Sequence, residues 1–473
     1  MTGPGAEGRE PAGGGGRGRP GATGWGSPRR SSYGPNSPQV GSRGARTRVH
    51  ILDTALDRFA GQGYQATSVE DIARAAGVSR ATLYQYFEGK EQVFAELLDE
   101  CGAALMRLIR RLGPLGPTAA GFDNLHWWLG EWAWVYDRYA SMFVQWDVID
   151  HAGRPFRPMV ASFVDAYAGR IADRLAESGF DDPDRLELGL ALLLVVHRVN
   201  LYRHTGFSPV EDRAVLDGLA TVVQQVLFPA TPSGVLTGLV GVPAPVSPPG
   251  PVRSYDPAPR TRHLGRRAAA TVARLQEAGG VAFAELGYRH ANLDAVAAQA
   301  GVARATLYKY FRDKGALLAV LSEEAAGGVV GTAARLDDLT GSGPPDPAAL
   351  RSWLDDYVHF HTRYQGAFAV WFDDPDAARE IRVDAAAAST HLFAAAYRLT
   401  ASVSRDYPFP CHVGAMVLLA LLQRVPSGMA ELFPEHPAGR VADAVALFVE
   451  RGLLDRAGPG AGLSPRRGAE PPT

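Results

Sequence analysis

Two stretches of fifteen residues hold the side chains whose types and spacing suit a definite chemistry. AGVSRATLYQYFEGK (76–90) and AGVARATLYKYFRDK (300–314) agree without a gap at 11 of 15 positions, at an offset of 224. Each sets an arginine, a threonine, two tyrosines and a closing lysine on or just after a short segment that follows a glycine turn, Gly77-Val78 or Gly301-Val302. Guanidinium groups pair with guanine edges, amides read adenine, threonine methyls touch thymine, and tyrosine and lysine reach phosphate oxygens. These side chains suit the recognition of a polynucleotide. The sequence offers no nucleophile beside a base, no glycine-rich phosphate loop and no metal-ligand cluster, so a helical enzyme is a remote alternative and no cofactor or metal is expected. His359 and His361 are two apart and fall on different helix faces, which argues against a metal pair. Cys101 and Cys411 stand at unrelated points, with neither zinc-ligand spacing nor a disulfide framework, and are expected to be inert in a reducing cytoplasm.

The elements that position these groups follow from periodicity. From Arg48 to Gly61, Val49, Ile51, Leu52, Ala55, Leu56, Phe59 and Ala60 leave one polar face, as in an amphipathic helix. Thr67 to Glu70 has the spacing of a capping box, opening a short helix that carries Val69, Ile72, Ala73 and Ala76 inward before Gly77 ends it. Ser79 can cap the next helix, Arg80 to Phe87, and Lys90 leads into a long amphipathic run, Glu91 to Arg111. Two short helices joined by a tight turn are how a helix-turn-helix presents its second helix to the major groove. Leu83, Phe87, Ala73 and Val78 are expected in the core.

The repeat extends well past the motif. Leu125, Trp128, Leu129, Arg138, Tyr139, Phe143 and Trp146 match Leu350, Trp353, Leu354, Arg363, Tyr364, Phe368 and Trp371 at an offset of 225. Arg198, Val199 and Asp217 match Arg424, Val425 and Asp443 at 226. The repeating unit is therefore a whole domain, and both copies read as all-α. At 473 residues the chain exceeds what one core supports. The expected division is a disordered arm (1–44), a first helix-turn-helix domain (45–100), a first helical regulatory domain (101–228), a Pro/Gly-rich linker (229–261), a second helix-turn-helix domain (262–322), a second helical regulatory domain (323–455) and a disordered tail (456–473). The N-terminus lacks the apolar core of a signal peptide and no run of about 18 apolar residues stands out, so neither secretion nor membrane insertion is expected.

This block resembles the DNA-binding domain of the TetR family of transcriptional regulators, closely over 46–100 and 262–322 and only in length and pattern elsewhere. The resemblance implies three helices forming a DNA-binding head and a fourth joining it to a helical ligand-binding and dimerisation bundle. Carried over by position, the DNA-facing residues are Thr67, Ser68, Ser79, Arg80, Thr82, Tyr84, Gln85, Tyr86 and Lys90 in the first head. In the second they are Asn292, Arg304, Thr306, Tyr308, Lys309, Tyr310 and Lys314. Arg80 and Arg304 suit guanine and Gln85 adenine, while the tyrosines and lysines suit phosphates. The copies differ: Ala303 stands where Ser79 could cap, at a helix cost of about 1 kcal/mol, and Asn292 and Asp294 replace the first capping box.

The whole-chain charge of −2 hides a local excess. Residues 260–314 hold ten Arg/Lys against four acids, and 43–90 seven against five, net charges of +6 and +2. Phosphate neutralisation dominates non-specific affinity, so the second head is expected to be less selective and more salt-sensitive. A regulator whose second repeat is only a dimerisation platform is the alternative.

Leu186 to Tyr202, Leu216 to Phe228, Val413 to Val425 and Val441 to Leu454 are apolar around most of their circumference and need burial on two sides. The resemblance implies a four-helix dimer interface, which one chain with two copies can complete alone. An intramolecular pseudo-dimer is expected, with a homodimer of four heads as the other arrangement. Partners are double-stranded DNA and a small apolar or aromatic effector, whose site in the first half is expected to use Trp128, Trp132, Tyr136 and Trp146.

Overall fold

The computed structural model describes residues 42–144, 156–180, 184–239, 264–341, 343–373, 379–403, 409–433 and 438–454. The tail, most of the arm and linker, and Trp146 lie outside them. The first head is α1 (Ser42–Gln62), α2 (Val69–Ala75) and α3 (Arg80–Tyr86). α4 (Lys90–Arg111) leads into a body of α5 (Ala119–Arg138), α6 (Phe156–Glu177), α7 (Arg185–His204) and α8 (Asp212–Leu227). The second head is α10 (Arg266–His290), α11 (Leu293–Gln299) and α12 (Arg304–Tyr310). α13 (Lys314–Thr340), α14 (Pro347–Asp373), α15 (Arg379–Ala401), α16 (Cys411–Leu432) and α17 (Ala438–Leu447) follow, and Phe448–Leu453 widens into a π-helical turn. No strand occurs among the described residues, and the all-α fold with two heads and two helical bodies stands. One short helix departs from the sequence reading: α9 (Ser233–Leu239) forms within the expected linker and packs back on α5, with Leu236 wholly buried.

The two repeats break their helices at matching points. Gly63 and Gly287 (φ 80° and 71°) close the first helix of each head, and Gly77 and Gly301 (φ 63° and 64°) make the turn inside each helix-turn-helix. Glycine adopts this left-handed backbone without a Cβ penalty. In each body the helix is interrupted at Tyr139 (φ −111°, ψ 25°) or Tyr364 (φ −108°, ψ 15°). The first head closes around Ile51, Leu52, Phe59, Leu83, Phe87 and Phe94, all 1% exposed or less. The first body is filled by Trp128, Trp132, Tyr136 and Tyr167.

The bodies meet through the helices with all-round apolar surfaces. α7 packs on α16 and α17, and α8 on α16 and the π-helical turn. Close approach uses glycines: a Cβ on Gly428 would lie 2.5 Å from Leu194, one on Gly452 2.7 Å from Val226, and one on Gly218 3.0 Å from Val413. Polar links also cross the contact, among them Arg451 Nη1 donating to Val226 O at 3.4 Å. Tyr202 Oη donates to Gln423 Oε1 at 2.5 Å, and Arg440 reaches Asp184 (Nη1 to Oδ2, 3.1 Å) and Glu187 (3.5 Å). α13 and α16 are long and apolar enough to cross a membrane by length and composition, although no such run stood out in the sequence; here their apolar windows are 56% and 83% buried, as core helices.

Candidate nucleic-acid interface

α2 begins at Ser68, whose Oγ accepts the Asp71 N–H at 3.1 Å while the Asp71 carboxylate accepts the Ser68 N–H at 3.1 Å. This reciprocal box lies one residue beyond the Thr67–Glu70 pair read from sequence. Thr67 is instead drawn inward, 1% exposed, with Oγ1 donating to Gly63 O at 2.7 Å. The Ser68 hydroxyl and N–H hold the Asp71 carboxyl below its ordinary pKa. In the second head Asn292 caps alone, accepting the Asp294 N–H at 2.8 Å.

The recognition helices begin differently. Ser79 Oγ accepts the Thr82 N–H at 3.0 Å, whereas Ala303 gives α12 no side-chain cap. Ser79→Ala is expected to cost about 1 kcal/mol of first-head stability, and Ala303→Ser to add about as much to the second. Amide hydrogen exchange in α3 and α12 reads both changes; an unaltered α12 on gaining the serine would show that its start is already satisfied.

Leu83 and Phe87 pin α3 to the core, as Leu307 and Phe311 pin α12. The opposite faces expose Ser79, Arg80, Tyr84 and Gln85 in one head and Arg304, Tyr308 and Lys309 in the other. Thr82, Tyr86, Thr306 and Tyr310 are half-buried beside them. Both arginines are held in the same clamp. Arg80 Nη1 lies 2.6 Å from Glu70 and its guanidinium 5.4 Å from the Tyr84 ring centroid. Arg304 Nε lies 2.9 Å from Asp294 and its guanidinium 5.5 Å from the Tyr308 centroid. The acid differs by a methylene, yet cation and ring stand outward in both.

Lys90 and Lys314 are not gathered on that face. Lys90 Nζ donates to the carbonyls of Tyr64 and Thr67, both at 2.9 Å, and sits 4.4 Å from the Tyr64 ring centroid. Burial lowers its pKa. Lys314 repeats this on Tyr288 O at 2.9 Å. Each lysine thus braces the loop that leads to α2 or α11. Sequence reading missed this role because the acceptors lie 23 to 26 residues away.

The first body holds a cavity of about 120 Å³ between α4, α6 and α7. Of the aromatic residues expected around an effector, Trp132 lines it. Trp128 does not, and its Nε1 donates to Tyr167 Oη at 3.3 Å instead. Tyr136 lies one layer behind the wall, stacked on the lining residue Phe143 at 4.5 Å between centroids. Sequence reading missed Phe163 and His197, which are lining residues, and Arg424, which arrives from the second repeat. Desolvation, then the charges of Arg424 and Arg198, hold the His197 imidazole well below its ordinary pKa, so it is neutral at physiological pH. Cys101, also in the wall, has its thiol pKa raised by burial.

A family model described as bacterial regulatory proteins, tetR family, matches the chain twice, over 51–97 and 277–321. The chain is 49% identical over 51 residues to the HTH-type transcriptional regulator AcrR of Shigella flexneri, covering 11% of this chain and 24% of that protein. It is 28% identical over 96 residues to the biofilm operon icaADBC HTH-type negative transcriptional regulator IcaR of Staphylococcus aureus, covering 20% and 50%. The alignments therefore span about a quarter to a half of these relatives' lengths.

Proposed function

From two heads that each match the tetR-family model, we propose a cytoplasmic DNA-binding transcription regulator, acting by occlusion as a repressor, whose two heads are held by one intramolecular pseudo-dimer. The carrying observation is the outward Arg–Tyr clamp built alike in both heads, Arg80 with Tyr84 and Arg304 with Tyr308. The relatives' names as transcriptional regulators support the same reading. The proposed DNA-facing set is Ser79, Arg80, Thr82, Tyr84 and Gln85, with Arg304, Thr306, Tyr308 and Lys309. The Thr67, Lys90 and Lys314 side chains build the heads. The protein acts by binding, with the cavity around Trp132 as the site of a small effector that modulates DNA affinity.

Because α3 and α12 differ at Ser79/Ala303 and Gln85/Lys309, the operator has unlike halves. Each complete head reads one half-site, and heads one helical turn apart sit roughly 34–36 Å from one another. Replacing either half-site with a mirror copy of the other is expected to weaken binding by about 5- to 150-fold per lost specific base contact. Gel-shift titration at fixed salt measures it, and equal affinity for native and mirrored operators would rule out unlike reading heads.

A further inference from the structure

The contact between the two bodies is built differently on its two sides. Over α7, α8 and their copies in the second body the repeats correspond at an offset of 226, and Val226 and Gly452 are counterparts at that offset. They also lie against each other, since a Cβ on Gly452 would sit 2.7 Å from Val226. A residue that meets its own counterpart marks the two-fold axis of a symmetric pair, so a pseudo-axis passes here. On one side of it Arg440 of α17 reaches Asp184 and Glu187 at the start of α7. The counterparts of these three are Ala214, Pro410 and Val413, so the same positions on the other side are apolar. Val413 there lies against Gly218, one turn beyond Ala214. The close packing is one-sided as well. Gly428 gives way to Leu194, where a Cβ would come within 2.5 Å, whereas its counterpart in the first body is Tyr202.

Resting on the reading of the chain as an intramolecular pseudo-dimer, we propose that each body pairs only with the other kind: the partner of a first body is a second body, never a copy of itself. Two first bodies would bring Asp184 and Glu187 against Ala214 on both sides, without the arginine they share here. They would also set Tyr202 and Val226 where the second body has Gly428 and Gly452. Buried charge parted from its ion-pair partner and crowding in a packed core both destabilise. Two second bodies would place Arg440 against Pro410 and Val413, and would leave Gly428 facing Ala420 and Gly452 facing itself. That pair has voids at its axis and a cation parted from its carboxylates. Specificity comes from what the wrong pair meets as much as from what the right pair gains. Every pair of bodies then carries one α3 and one α12, which keeps the two heads unlike.

A protease site placed within residues 240–263 lets the folded full chain be cut between its repeats. The cut protein is refolded from urea, so that the halves choose partners afresh, and native mass spectrometry counts the pairs. Unlike pairs are expected to outnumber like pairs by roughly 100-fold or more, the factor that follows from removing one partner of a buried ion pair. Like pairs making up about half of the total, as free choice gives, would overturn the pairing rule, and so would halves that stay single. If the halves do not refold, the cut protein is mixed with an isotope-labelled copy in urea below the unfolding transition until label has moved between pairs. Label found only in unlike pairs supports the rule, and label in like pairs overturns it. Sedimentation of the uncut chain keeps the two readings apart: a mass of two chains would contradict the pseudo-dimer within one chain, while the cut halves still decide which bodies pair.

Discussion

Arg440→Met should destabilise the contact between the two bodies by about 3–5 kcal/mol, the usual loss when one partner of a buried ion pair is removed. The Arg440 guanidinium lies against Asp184 and Glu187, and the three side chains are only 11%, 3% and 6% exposed. The partners come from opposite repeats, 256 and 253 residues apart in the chain. Methionine fills similar space but leaves two buried carboxylates short of the cation they share, and desolvated charge is expensive. Urea unfolding followed by tryptophan fluorescence should show an earlier transition. Adding Asp184→Asn and Glu187→Gln should recover part of the loss, because neutral amides remove the buried charge. A single variant as stable as the wild type would mean that Arg440 contributes nothing to holding the bodies together.

Removing one recognition arginine should weaken operator binding by about 5- to 150-fold, with the effect confined to one half-site. Arg80→Ala is expected to relax base preference only in the half read by α3, and Arg304→Ala only in the half read by α12. Each arginine rests on an acid of the preceding short helix, Glu70 or Asp294, and on a tyrosine one turn further on. The acid and the ring fix where each guanidinium points. Lys309, exposed where the first head has Gln85, should act differently. Lys309→Gln should lower affinity for all sequences and reduce the salt slope by about one. Binding to a library of half-site variants separates the two patterns, and loss of preference in both halves from one arginine variant would contradict independent heads.

The helix-turn-helix, the tandem repeat and the four apolar helices were legible in the sequence because each rests on local spacing or on identity between copies. The Ser79 cap was legible for the same reason, since its acceptor bond closes within three residues. The neighbouring box was misplaced by one residue. Thr67–Glu70 and Ser68–Asp71 overlap, and spacing alone cannot choose between them. The choice is made by Gly63 O, which captures the Thr67 hydroxyl. Long-range partners were out of reach altogether. Nothing local in Lys90 shows that Tyr64 and Thr67 carbonyls await its ammonium. Nothing around Arg424 shows that it faces a cavity built by residues more than 220 positions earlier. The aromatic cluster was visible as composition, but only packing could show that Trp132 faces the cavity while Trp128 turns to Tyr167.

One chain acting as a complete two-headed reader is tested most directly by the stoichiometry and footprint of the same complex. Footprinting the purified full chain on DNA upstream of its own gene, with sedimentation giving the mass of the complex, is expected to show one chain per operator. Two unlike protected half-sites should lie about 10 base pairs apart, centre to centre. A single protected half-site, or a requirement for two chains per operator, would contradict it.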